Sequence, residues 1–276
     1  MTLKLMYVTN SPMVAQIAQK YGVDRIWIDL ETIGKQERQG HINSVKSNHS
    51  ISDIKNIKPI LSSSEVLVRI NPLYENSKKE IDEVINAGAD LIMLPMWRTV
   101  SEVKKFLNMV NGRVKTVLLL ETKEAVECLD EILNLGGFDE IHIGLNDLHL
   151  SYHLTFMFEL LKNGIVEGIC EKIKKKNIPY GFGGIAGIGQ GVLHAEKIIA
   201  EHYRLGSTRA ILSRSFCNTE LIKDKEQINS IFRDRLYELR EYEKFVEKQD
   251  SQFYLKNKEE IYIDVNKIVE NIKMRE

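Results

Sequence analysis

The chain has 276 residues, 43% of them hydrophobic, with 38 Lys and Arg against 39 Asp and Glu and a formal net charge of -1. That length fits one large α/β barrel or two medium domains, and the balanced charge excludes the basic footprint of a nucleic-acid binder. Cys128, Cys170 and Cys217 are far apart with no CxxC pair, which argues against a disulfide framework and a structural zinc site, and no apolar run approaches a membrane span or a secretory signal, so a cytoplasmic protein without membrane partners is expected.

Apolar runs alternate with amphipathic segments along the chain. LKLMYVT reads as a first strand. SPMVAQIAQKYG follows as a helix, with Ser11 as N-cap, Pro12 in the first turn and Gly22 at its end. RIWIDLE is a second strand, SISDIKNIKPIL a helix, and EVLVRIN a third strand. SKKEIDEVINAGA, LIMLPM, VSEVKKFLNMVNG and VKTVLLLE continue the alternation through strand five. KEAVECLDEILNL is a helix and EIHIGL strand six. Residues 156–176 are largely helical, although Gly164 and Gly168 weaken that pattern. IPYGFGG, HAEKIIAEHYRLG and RAILS complete eight strands.

This pattern predicts a (β/α)₈ barrel over residues 1–220. The strands lack polar alternation, as expected when both faces are buried. From about residue 221 the chain is helical and highly charged, and it reads as a C-terminal extension of two helices, residues 221–276. These helices exceed what the barrel requires. They are expected to pack on its base or to form a contact in a homo-oligomer.

Active sites of such barrels lie at the C-terminal strand ends. There the chain offers Asp29 and Glu31, Arg69 and Asn71, Pro95 and Met96, Glu121, Asn146 and Asp147, Gly183 and Gly184, then Ser213 and Arg214. Carboxylates bind a cation, and arginine grips a carboxylate with two N–H groups. Glu121 and Asp147 are candidate ligands for Mg²⁺ or Mn²⁺. Two unrelated acids at strand–loop junctions are the alternative. GFGGIAGIGQG suits either an anionic group on the substrate or a tight turn. His149 is an acid–base candidate, a ligand-orienting group or a structural histidine. His142 reads as a core histidine, and His41 as part of a polar surface loop. Cys217 has no activating base in view, and no nucleotide motif is present.

The segments IDLET, VRINP, LPM, LLLET and GLNDL resemble the HpcH/HpaI aldolase and citrate lyase beta-subunit family, within the pyruvate/phosphoenolpyruvate-binding barrels. The resemblance covers residues 23–150 and extends beyond them only by architecture. It implies a carbon–carbon lyase that acts on pyruvate or a similar small oxo acid through an enolate. It assigns Glu121 and Asp147, 26 residues apart, to the divalent ion and Arg69 to the oxo-acid carboxylate and keto oxygen. Asp29, Glu31 and His149 join Arg69 as catalytic candidates. Pro95, Met96, Gly183, Gly184 and Arg214 are expected to face the substrate.

The family's aldolase branch carries His, and its lyase branch Asp, where this chain has Thr32. Threonine is no base near neutral pH. Proton transfer would fall to a metal-bound water, Glu31, His149 or His153. A class II pyruvate aldolase is expected. A citrate-lyase-like enzyme acting on an acyl thioester and a non-catalytic metal- and ligand-binding barrel are the alternatives.

Overall fold

The computed structural model describes residues 1–34 and 48–274. Eight parallel strands close into a barrel in sequence order, β1 to β8, with helices around them. By contacts the chain groups into two compact units, Met6–His142 and Met1–Leu5 with Ile143–Glu276.

The first unit contains β1 (Lys4–Val8, from Met6), α1 (Pro12–Lys20), β2 (Arg25–Asp29), α2 (Ile51–Ile57), β3 (Glu65–Arg69), α3 (Ser77–Asn86), β4 (Leu91–Leu94), α4 (Val100–Val110), β5 (Lys115–Leu120), α5 (Lys123–Glu127), α6 (Leu129–Leu135) and β6 (Glu140–Ile143, to His142). Local chemistry starts the helices. Ser11 accepts from Val14 N, Thr122 accepts from Ala125 N, and Thr99 forms a capping box with Glu102. The helix expected over residues 123–135 breaks at Cys128 into α5 and α6.

Alternation along β2 sets out layers. Arg25, Trp27 and Asp29 share one face, while Ile26 and Ile28 share the other. At the start of the strands Arg25, 1% exposed, donates to both oxygens of Glu140 at 2.6 and 2.7 Å and to Glu65 at 2.9 Å. Lys115 bonds the second Glu65 oxygen at 2.7 Å. One layer up, Trp27 meets His142 edge-on with ring centroids 6.4 Å apart. Asp29 and Arg69 form the top layer, paired in register.

The second unit contains α7 (Leu145–Ser151), α8 (Glu159–Lys162), α9 (Ile165–Lys174), β7 (Tyr180–Ile185), α10 (Ala195–Leu205), β8 (Arg209–Leu212), α11 (Lys225–Val246) and α12 (Ser251–Lys273). The segment after β6, expected as a loop, is the helix α7; Leu145, Leu148 and His149 give it a buried face. Gly164, at φ +75, divides α8 from α9, whereas Gly168 stays inside α9. α11 follows β8 and buries Ile228, Phe232, Leu236 and Leu239. Glu243 of α11 accepts from Leu3 N at 2.8 Å, and Arg240 donates to Leu3 O at 2.9 Å. α11 therefore supplies the helix of the eighth repeat. α12 packs on α10 and α8, tied by Lys197 to Asp264 and Glu260 and by Lys258 to Glu167.

Candidate active site

Asp29 and Arg69 end adjacent parallel strands, so their side chains emerge side by side. Arg69 Nε donates to Asp29 Oδ1 at 2.8 Å and Nη2 to Oδ2 at 2.9 Å, a fork-to-fork pair. Its Nη1 lies 3.1 Å from Glu31 Oε2. The guanidinium sits 5.5 Å from the Trp27 ring centroid. Burial by itself would weaken the charge on Arg69. Asp29, Glu31 and Glu121 outweigh burial and hold its pKa above the ordinary value.

The loop after β2 is pinned around this pair. Glu31 N donates to Asp29 Oδ1 at 3.3 Å, and Asp29 N to His49 Nδ1 at 3.0 Å. Asn71 Oδ1 accepts from Thr32 N, Thr32 Oγ1 and Ile33 N at 2.9, 3.2 and 3.0 Å. The Thr32 hydroxyl thus serves the loop. Glu121, just past β5, is buried and accepts from Met96 N at 3.0 Å. Met96 has φ 54, a conformation unfavourable for a side-chain-bearing residue. Pro95, before it, is buried. This unit therefore gathers Asp29, Glu31, Arg69, Met96 and Glu121: three buried carboxyl groups around one guanidinium.

In the other unit Asp147 lies in the first turn of α7, 7% exposed. His149, two residues on, is also buried and holds Nδ1 3.2 Å from Leu145 O. Burial lowers its pKa, against the raising effects of Leu145, Asn146, Asp147 and Glu159. The imidazole is then a neutral proton acceptor near pH 7.

Gly183 has φ +53, and a Cβ there would lie 2.9 Å from Leu145 Cδ1. At Gly184 a Cβ would meet Ser213 Cβ at 3.3 Å. Close packing thus accounts for both glycines. Arg214 is exposed. Cys217 is buried, and burial pushes its thiol up to about 11, which leaves it inert near neutral pH. His142 is a core histidine, 2% exposed. His41 lies outside the described residues.

Two residues and one backbone feature escaped the sequence reading. Arg235 of α11 donates to the carbonyls of Ser215 and Phe216 and packs against Gly187, where a Cβ would come within 3.1 Å of its Cδ. It lay in a segment read as a tail. Glu80 lay in a charged run, yet Ser77, Glu80, Ile81 and Val84 form the buried face of α3. That i, i+3, i+4, i+7 spacing was a usable signal. The backbone twist at Met96 left no sequence signature.

Among the described residues no group of three or more His, Cys, Asp or Glu is disposed to hold a metal ion. Any divalent ion here would need oxygens from water or substrate beside the carboxylates, as Mg²⁺ tolerates well.

The profile of the HpcH/HpaI aldolase/citrate lyase family matches residues 4–156. No curated protein is similar enough in sequence to match. An HpcH/HpaI aldolase from Desulfitobacterium hafniense DCB-2 has a similar structure, with TM-score 0.61 and 15% identity over 77% of this chain and 86% of that one. An HpcH/HpaI aldolase/citrate lyase family protein from Burkholderia cenocepacia J2315 gives TM-score 0.62 and 14% identity over 82% and 95%. Macrophomate synthase gives 0.54 and 15% over 77% of each chain. At these identities the likeness is one of fold.

Proposed function

The chain belongs to the HpcH/HpaI aldolase/citrate lyase family, and from that premise we propose that this lyase is a divalent-metal-dependent aldolase that joins or releases pyruvate, or a close analogue, through its enolate. The observation that carries the proposal is the gathering of the buried acids Asp29, Glu31 and Glu121 about Arg69 at the strand ends. Buried carboxyl groups gathered at the strand ends suit a bound cation.

Glu121 and Asp147 would hold Mg²⁺ or Mn²⁺. Such an ion supplies positive charge to the developing enolate oxygen. Arg69 turns Nε and Nη2 to Asp29 and Nη1 to Glu31, and the second hydrogens of Nη1 and Nη2 would hold the oxo-acid carboxylate. Asp29 fixes the plane of that fork. In the cleavage direction the 4-hydroxyl of a 4-hydroxy-2-oxo acid loses its proton. The C3–C4 bond then breaks to give an aldehyde and the enolate, and C3 takes up a proton. Glu31 and His149 are the proposed proton carriers, because Thr32 is held by Asn71. Glu31→Gln or His149→Ala is expected to slow turnover by about 10²–10⁴-fold, as loss of acid–base help does. If both variants stay within about tenfold of the parent, this proton route is wrong.

The decisive test is exchange of pyruvate methyl protons with D₂O, followed by proton NMR with Mg²⁺, with Mn²⁺ or with no metal. Metal-dependent exchange is expected, lost together with metal binding in Glu121→Ala and Asp147→Ala. The use of the Thr32 hydroxyl by Asn71 favours one second reading, a barrel that binds its ligand without turnover. A metal-loaded parent protein that shows no exchange would establish that reading. Addition of acyl thioesters with the metal distinguishes the citrate-lyase-like alternative.

A homo-oligomer is proposed as well, with α12 in the contact. The apolar faces expected to need partners are met within their own unit, since Phe232, Leu236 and Leu239 are buried there. Leu255, Tyr262 and Ile263 on α12 stay exposed. Light scattering at micromolar concentration should give a multiple of the chain mass, and a monomeric mass rejects the assembly. No described helix is long and apolar enough to cross a membrane.

A further inference from the structure

Glu80 lies on α3, outside the cluster just described, and only 8% of its surface is exposed. Its Oε1 accepts from Asn71 N at 3.2 Å and from Asn71 Nδ2 at 2.8 Å. Its Oε2 is buried with no hydrogen-bond partner among the described residues. Burial raises its pKa, against the lowering effect of the Asn71 bonds. A buried, half-satisfied carboxyl group is an expensive way to fill a helix face whose neighbours are Ile81 and Val84.

The bonds of Asn71 give it a use. A carboxamide can be turned end for end with little change in shape, so only its partners decide which end is the acceptor. Glu80 is an acceptor and therefore takes the Nδ2 end. That leaves Oδ1 facing three donors, Thr32 N, Thr32 Oγ1 and Ile33 N. The reversed carboxamide would set its NH₂ against two backbone N–H groups. Packing does not prevent the reversal. A cavity of about 420 Å³ adjoins the pair, lined by residues including Leu30, His49, Asn71, Tyr74 and Glu80.

The clamped residues follow Glu31 directly, and Asn71 stands two positions beyond Arg69. We propose that Glu80 is a positioning residue of this active site: it orients the Asn71 carboxamide, which holds the loop after β2 so that Glu31 stays against Arg69. The inference rests on the reading of Glu31 and Arg69 as working residues, and it adds a control on them from the outer helix layer.

Two variants test it. Glu80→Gln keeps an oxygen acceptor for Asn71, whereas Glu80→Leu fills similar space without one. Amide hydrogen exchange at Thr32 and Ile33 should stay slow in Glu80→Gln and become fast in Glu80→Leu. With metal bound, Glu80→Leu should lower the rate constant for pyruvate proton exchange by about 10- to 100-fold, in line with small misplacements of reacting groups. The KM for pyruvate should change little, and Glu80→Gln should recover most of the rate. Slow amide exchange at Thr32 in Glu80→Leu would overturn the clamp. A rate unchanged in Glu80→Leu would overturn the positioning role alone. Silence of the parent protein toward pyruvate would overturn the functional reading, and the positioning role with it.

Discussion

Arg69→Lys is expected to reduce pyruvate proton exchange by about 10²–10³-fold, the size seen when one aimed donor to a developing oxyanion is lost, while metal binding persists. The expectation follows from geometry rather than charge. Lysine keeps the cation but offers a point donor where the guanidinium offers a planar fork. Here the fork meets both oxygens of Asp29 and also reaches Glu31. A lysine ammonium can pair with one of those acids and orient neither, and the other loses its contact with the guanidinium. The thermal midpoint should therefore fall as well. Exchange rates at saturating Mn²⁺, with Mn²⁺ affinity measured in parallel, separate the two losses. If Arg69→Lys retains activity within about tenfold of the parent, well short of the loss tied to an aimed donor, Arg69 is only a structural partner of Asp29.

The same pair shows what a sequence reveals. LIML and KTVLLL read as strands because both their faces are buried, and burial on both faces removes polar alternation. Strand ends were equally legible, so Asp29, Arg69 and Glu121 could be named from the chain. The partners of those residues were not legible. Arg69 reaches Asp29, 40 positions away, because β2 and β3 pair in register. No local pattern encodes that register. Asn71 was visible as a strand-end residue, but its clamp on Thr32 depends on which way its carboxamide faces. Glu80 decides that from another element. The helix α7 was hidden for a related reason: only a neighbour to bury against makes Leu145, Leu148 and His149 a face. α11 read as an addition to the barrel because a highly charged helix looks dispensable. Its narrow apolar stripe and the Glu243 and Arg240 bonds to Leu3 tie it into its own unit, which includes the first residues of the chain.

His142→Leu should remove much of the acid sensitivity of folding between about pH 7 and pH 4.5 and so separate two stability curves by roughly 2–3 kcal/mol. His142 is 2% exposed, and among the described residues neither ring nitrogen has a hydrogen-bond partner. It stands edge-on to Trp27, whose Nε1 likewise has none. Burial depresses its pKa to about 3, with Glu140 raising and Arg25 lowering it in turn. In the unfolded chain the imidazole titrates near its ordinary value of about 6.5. A depressed folded pKa gives stability that is fully present above about 6.5. That stability is lost as pH falls toward about 3, because only the unfolded chain takes up the proton. Each unit of pH crossed in that window costs about 1.4 kcal/mol. Carboxyl groups titrate in the lower part of the window in both proteins, so the difference between parent and variant isolates the histidine. Urea unfolding at pH 7, 5.5 and 4.5 measures it: the variant should gain on the parent at each step down. Parallel curves would mean that His142 binds a proton in the folded protein as readily as in the unfolded chain, and burial would not be what depresses its pKa.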